Sequence, residues 1–235
     1  MWSKIVEYAV GNGISLPSGA ENVFAEYYRL LTDANRTVNL TRITCPQEVM
    51  IKHFLDSIMP LNWCQEPFGS LLDVGSGAGF PGIPLKIARP ELRVFLLDSA
   101  RKKVDFLNKA IEALHLTEIR AVQGRAEDLG RQQDYRDNFD LVVSRALAPL
   151  NILLEYCLPF VRKGGLFIAY KGSDYIDELS SASFALLQLK SSLQEERYYN
   201  LPGGLGERAL LIFKKDDDTP KKYPRRAGTP NKRPL

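Results

Sequence analysis

Cysteine and histidine are scarce in this chain of 235 residues. The three cysteines, Cys45, Cys64 and Cys157, stand far apart with no C-x-x-C pair, and His53 and His115 add no cluster. Neither a disulfide framework nor a four-ligand zinc site can be built from them, and no metal is expected. Unpaired thiols suit a reducing compartment, so an intracellular, cytoplasmic protein is expected. Long apolar runs are missing too. The N-terminal MWSKIVEYAVGNG is interrupted by Lys4 and Glu7, unlike a signal peptide. The most apolar window, 141–161, is broken by Arg145, Pro149, Glu155 and Pro159, unlike a membrane span.

What is present is an ordinary globular composition, 45% hydrophobic and 25% charged, enough for the core of one good-sized domain. The net charge of +3 is unevenly spread. Residues 214–235 carry eight Lys or Arg against three Asp, a net of +5, which leaves −2 for everything before them. That end also holds four prolines and almost no large aliphatic residue, so it lacks the apolar surface to offset its ordering entropy. It reads either as a solvated disordered tail or as a basic arm that contacts phosphates. As an arm, residues 221–235 would add RNA affinity without building any cofactor site.

Three segments follow from the periodicities: a helical extension over 1–67, an α/β domain over 68–215 and the basic tail over 216–235. In the first, 21–35 and 47–59 repeat their apolar residues at three-to-four spacing. From residue 70 onward, short apolar strands (71–74, 93–98, 119–123, 139–144, 165–170) alternate with helical stretches near 81–88, 102–116, 150–158 and 174–190. Strands joined by helical crossovers pair in parallel, so a doubly wound, mostly parallel sheet is expected. Two last strands, 193–200 and 208–215, are joined by LPGGLGE, too short for anything but an antiparallel hairpin.

Ligands of such a sheet bind beyond the carboxyl ends of the strands. The first end delivers DVGSGAGFPG, residues 73–82. A tight turn alone would explain its glycines; so would a ligand lying against bare backbone. The second reading gains from Asp98, 19 residues after Gly79 at the end of the next strand, where a carboxylate can accept from both ribose hydroxyls of an adenosine. The spacing is not the G-x-G-x-x-G of a pyrophosphate site, and no G-K-S/T follows, so adenosine joined to an amino acid fits better than a dinucleotide or a triphosphate. At the third end, GRAED (124–128) offers a carboxylate for an exocyclic amine, although Glu127 and Asp128 also suit the start of a helix. At the fourth, Arg145 is either an ion-pair partner or a contact to a carboxylate or phosphate.

NLTRI (39–43), HFLDS (53–57), LLDVGSGAGFPGIPLKIARP (71–90), LLDSARKKVDFL (96–107), AED (126–128), SRALAPL (144–150), YKG (170–172) and YPRRAGTPNKRPL (223–235) together resemble the bacterial 16S rRNA guanine-N7 methyltransferases, the ribosomal RNA small subunit methyltransferase G or glucose-inhibited division protein B family. The resemblance implies a Rossmann-like class I methyltransferase fold, S-adenosylmethionine as cofactor and N7 of one guanine in 16S rRNA of the small ribosomal subunit as target. By matched motif it implies cofactor contacts at Gly75, Phe80, Asp98, Ser99, Ala100, Ala126, Glu127 and Arg145.

The residues agree with that chemistry. N7 of guanine carries a free lone pair at neutral pH, so transfer needs orientation rather than a general base. No catalytic residue is therefore required, and Arg145 is the one candidate. The N/D-P-P-Y/F pattern of exocyclic-amine methylation is absent, with SRALAP in its place. Phe80 and Tyr170 are candidates to stack on a base, and both also suit packing. Two rivals are an NAD-dependent dehydrogenase, which would want a Tyr-x-x-x-Lys donor that is missing, and a non-catalytic RNA-binding assembly factor.

Overall fold

The computed structural model describes residues 1–64 and 68–235. The expected boundary at 67 falls in 65–67, outside the described residues. Seven strands form one sheet: β1 (Ser70–Val74), β2 (Arg93–Asp98), β3 (Ile119–Gln123), β4 (Phe139–Arg145), β5 (Val161–Lys171), β6 (Ser191–Asn200) and β7 (Glu207–Lys215), in the spatial order β3-β2-β1-β4-β5-β7-β6. The first five are parallel. β7 enters antiparallel between β5 and β6, so the hairpin closes the sheet with its second strand inside.

Alternation along the strands builds two cores, because successive side chains leave a strand on opposite faces. Leu71, Val94, Leu96, Leu141, Val143 and Ile168 point to one face and pack with Phe24, Tyr27, Leu31 and Phe54 of the N-terminal helices. Leu72, Val74, Leu97, Val142, Phe167 and Ala169 point to the other, under the helix Leu150–Cys157. The N-terminal helices Ser3–Gly11 and Ala20–Asn35 thus share a core with the sheet. Residues 46–62 are helical throughout, but Val49–Leu55 is a wide π-type stretch. The helix expected over 174–190 is broken instead into Ser173–Tyr175, Ile176–Ser181 and Ser183–Gln188, across a serine-rich run of low helix propensity. No helix is long and apolar enough to cross a membrane among the described residues.

The C-terminal segment is not a solvated disordered tail: its backbone is anchored on the domain. Tyr223 and Pro224 are buried. Arg136 donates to the carbonyls of Tyr223 (2.7 Å) and Thr219 (2.5 Å), and Arg131 donates to that of Pro224 (2.9 Å). The backbone N–H of Arg225 and its guanidinium both bind Glu155, which is fully buried. Lys215 is buried against Asp137, Thr219 and the Leu158 carbonyl, and burial lowers its pKa to about 8. Composition foretells the missing aliphatic surface but not these polar anchors, which hold the backbone down together with the buried rings of Tyr223 and Pro224.

Candidate functional site

β1 and β4 lie side by side but their crossovers leave in opposite directions, and a crevice opens there beyond the strand ends. Two cavities occupy it. The first, about 360 Å³, is lined from the β1 end by Val74 and Gly75, from β2 by Leu97, Asp98 and Ser99, and from the β3 end by Gly124, Arg125, Ala126 and Glu127. Leu147 and Tyr156 add apolar walls, and Lys103 and Asn231 polar ones. The second, about 330 Å³, is lined by Lys52, His53, Asp56, Arg145, Tyr170, Lys171 and Arg208, among others. Ala146 lines both. Its φ of 54° is unusual for a residue with a Cβ, and the turn it makes carries the chain out of β4 between the two cavities.

The glycine turn is held as a unit with Asp98. Asp98 accepts from the Gly77 N–H on Oδ2 (2.9 Å) and from the Ala100 N–H on Oδ1 (2.8 Å), with Lys103 at 3.7 Å. Its carboxylate is therefore fixed in direction while keeping lone pairs free. Gly75 has φ +77°, and a Cβ there would lie 2.8 Å from Leu147 on the wall of the first cavity. Below the turn, Asp73 is fully buried; one oxygen accepts from the Gly82 N–H (2.9 Å) and Oδ1 has no partner among the described residues. Burial raises its pKa to about 7.

In the second cavity, Arg145 donates to Asp56 (2.9 Å) and to the Lys52 carbonyl (3.2 Å), and its guanidinium sits 5.1 Å from the Phe80 ring centre. Asp56 also accepts from the Tyr199 hydroxyl (2.7 Å). Arg145 lies 3.4 Å from His53 Nδ1. Because a guanidinium only donates, Nδ1 accepts, and Nε2–H is left to donate to Thr41 Oγ1 at 2.9 Å. Burial, helped by Arg145, lowers the His53 pKa to about 3, so the imidazole is neutral at pH 7.

Of the residues singled out from the sequence, Gly75, Asp98, Ser99, Ala126 and Glu127 come together on the first cavity. Ala100 stands behind it, bonded to Asp98. Arg145 belongs to the second cavity, as both an ion-pair partner and a wall. Phe80 is 6% exposed, stacked on His53 at 4.5 Å and packed on Tyr27. Tyr170 is buried too, donating to the Ser57 carbonyl at 2.6 Å, which fits the packing reading for its ring. Lys103, Tyr156 and Asn231 in one cavity, and Lys52, His53, Asp56 and Arg208 in the other, had no role assigned from sequence. HFLDS was the signal for two of them, and LLDSARKKVDFL and YPRRAGTPNKRPL contain Lys103 and Asn231; nothing marked Arg208.

The fold is that of the class I methyltransferases. Among solved structures it resembles an O-methyltransferase from Bacillus cereus in complex with SAH, with a TM-score of 0.60 at 17% identity over 90% of this chain and 97% of that one. The family model described as rRNA small subunit methyltransferase G matches residues 20–200. Proteins named ribosomal RNA small subunit methyltransferase G from Lactobacillus acidophilus and Carboxydothermus hydrogenoformans are 50% and 44% identical, covering 90% and 100% of both chains respectively. The chain belongs to the rRNA small subunit methyltransferase G family.

Proposed function

We propose that this protein methylates N7 of one guanine in 16S rRNA, with S-adenosylmethionine in the first cavity and the base in the second. The observation that carries the reading is the junction: two cavities of nucleoside size meet at Ala146, the first presenting the carboxylates of Asp98 and Glu127, the second four cations beside Asp56. The first fits an adenosine. Asp98 is aimed and has lone pairs left for ribose hydroxyls, Glu127 keeps Oε2 unpartnered among the described residues for the exocyclic amine, and Gly75 leaves bare backbone at the wall. Gly75, Ser99 and Ala126 would line the ligand, while Phe80 and Ala100 would act by holding the glycine turn and Asp98.

The bound cofactor supplies a methyl group on a positively charged sulfur. The chain's part is to place the N7 lone pair in line with that bond, an orientation effect of up to about 7–11 kcal/mol in favourable cases. Neutral His53 is not required as a base, since N7 has no proton to lose. Lys52, Arg145, Lys171 and Arg208 surround the second opening, paired with Glu48, Asp56 and Glu178, and would share or exchange those carboxylates for the phosphates flanking a splayed nucleotide. A ribosomal substrate would place the protein in the cytoplasm, with the small subunit as its partner.

Calorimetry with S-adenosylmethionine and NAD in parallel, followed by methyl transfer to 16S rRNA and to small subunits, tests this. S-adenosylmethionine is expected to bind and NAD not, and Asp98→Ala to weaken binding by about 1.5–3 kcal/mol, as for a lost charged acceptor. A folded Asp98→Ala with an unchanged Kd would overturn the ribose assignment, and modification at any atom other than N7 the reaction.

A further inference from the structure

The C-terminal segment does more than cover the domain. Beyond its anchors on Arg131, Arg136 and Glu155 the chain turns at Gly228, whose φ of +80° is left-handed. A Cβ there would meet nothing within 4 Å, so the glycine is present for its backbone conformation rather than for space. That conformation directs the Gly228 N–H onto Glu127 Oε1 at 2.8 Å. One turn later, in the short helix Thr229–Lys232, Asn231 joins the wall of the first cavity.

Glu127 is 4% exposed and lines that cavity. Gly228 is its hydrogen-bond partner on Oε1, and Oε2 has none among the described residues. Oε2 is not sealed from the cavity that Glu127 lines, so it is free to accept a hydrogen bond from a ligand donor there. The geometry points to the C-terminal segment as a positioning element for base recognition: Gly228 orients Glu127 so that Oε2 meets the amino group of adenine, and Asn231 closes the pocket. The inference rests on the cofactor reading above and assigns to residues 228–231 its selectivity for adenine. Hypoxanthine, which offers a carbonyl oxygen where adenine offers N–H, would face the carboxylate and be rejected.

The test compares S-adenosylhomocysteine with its inosine counterpart by calorimetry, on the full chain and on a chain ending at Ala227, which keeps the anchors on Arg131, Arg136 and Glu155. The full chain should favour the adenine ligand by at least about tenfold. Shortening should weaken the adenine ligand by a similar factor and bring the two ligands together, with the melting transition retained. Gly228→Pro removes the N–H and the left-handed turn without shortening anything, and should lose the same preference even if the shortened chain fails to fold. Unchanged preference in Gly228→Pro overturns the proposal, as does an equal loss for both ligands in either variant. Failure of the intact protein to bind S-adenosylhomocysteine at all would instead overturn the cofactor reading.

Discussion

Asp73 shows what a single carboxyl does at the centre of such a site. It is fully buried beneath the glycine turn, and the hydrogen bonding from the Gly82 N–H and Ser76 does not offset the desolvation of a charge, so its pKa rises from 3.8 to about 7. Below about pH 4 the proton is held in both the folded and the unfolded chain, and the stability it confers is fully present. Between about 4 and 7 only the unfolded chain releases it, and stability is lost at about 1.4 kcal/mol per pH unit until the folded pKa is passed. His53 works in the opposite direction: with its pKa lowered from 6.5 to about 3, folding gains stability as pH rises through that interval. The two slopes oppose each other in the intact protein, so Asp73→Asn is the informative variant. Chemical denaturation at pH 4.5 and 7.5 should show the variant gaining on the native chain as pH rises. A gap that stays constant would mean that Asp73 is ionised in the folded protein throughout.

At the scale of elements, the ion pair between Arg145 and Asp56 ties the end of β4 to the helical stretch 46–62. Both side chains are largely buried, so Arg145→Ala should cost up to about 3–5 kcal/mol, leaving Asp56 with only Arg208 at 3.7 Å and the Tyr199 hydroxyl. Replacing both, Arg145→Met with Asp56→Asn, should recover most of that stability while methyl transfer stays lost. Normal transfer per folded molecule in the double variant would reduce Arg145 to a tie. The same contact shows where sequence reading stops. Strands buried on both faces announce themselves as apolar runs, and β2 and β3 match the expected 93–98 and 119–123 to the residue. Asp98 was legible because it follows a strand at a telling distance from a glycine turn. The second cavity was not, because Lys52 and His53 come from a π-type stretch that periodicity cannot distinguish from an α-helix, Asp56 directly follows it, and Arg208 reaches the cavity only through the inserted strand β7.

For the whole molecule, the question is what the basic C-terminal charge does once its backbone is known to be fixed. Lys215 and Arg225 are spent on Asp137 and Glu155, whereas Lys221, Arg226, Lys232 and Arg233 stay exposed on a segment that is pinned at Tyr223 and Pro224. Pinned cations lose less entropy on meeting phosphate than a floating arm would, and this segment also borders the first cavity through Asn231. Deleting the segment would therefore disturb cofactor and RNA together, so neutralising its exposed side chains is the cleaner experiment. Each phosphate contact to single-stranded or loop RNA contributes roughly 0.7 to the slope of log affinity against log salt, so three contacts change it by about two. With Lys221, Arg226, Lys232 and Arg233 all replaced by Gln, rRNA binding should weaken at low salt and its salt slope flatten by about that amount, while S-adenosylmethionine affinity is unchanged. An unaltered slope would show that these cations face solvent rather than phosphate, leaving the ring of Lys52, Lys171 and Arg208 around the second cavity as the RNA's electrostatic foothold.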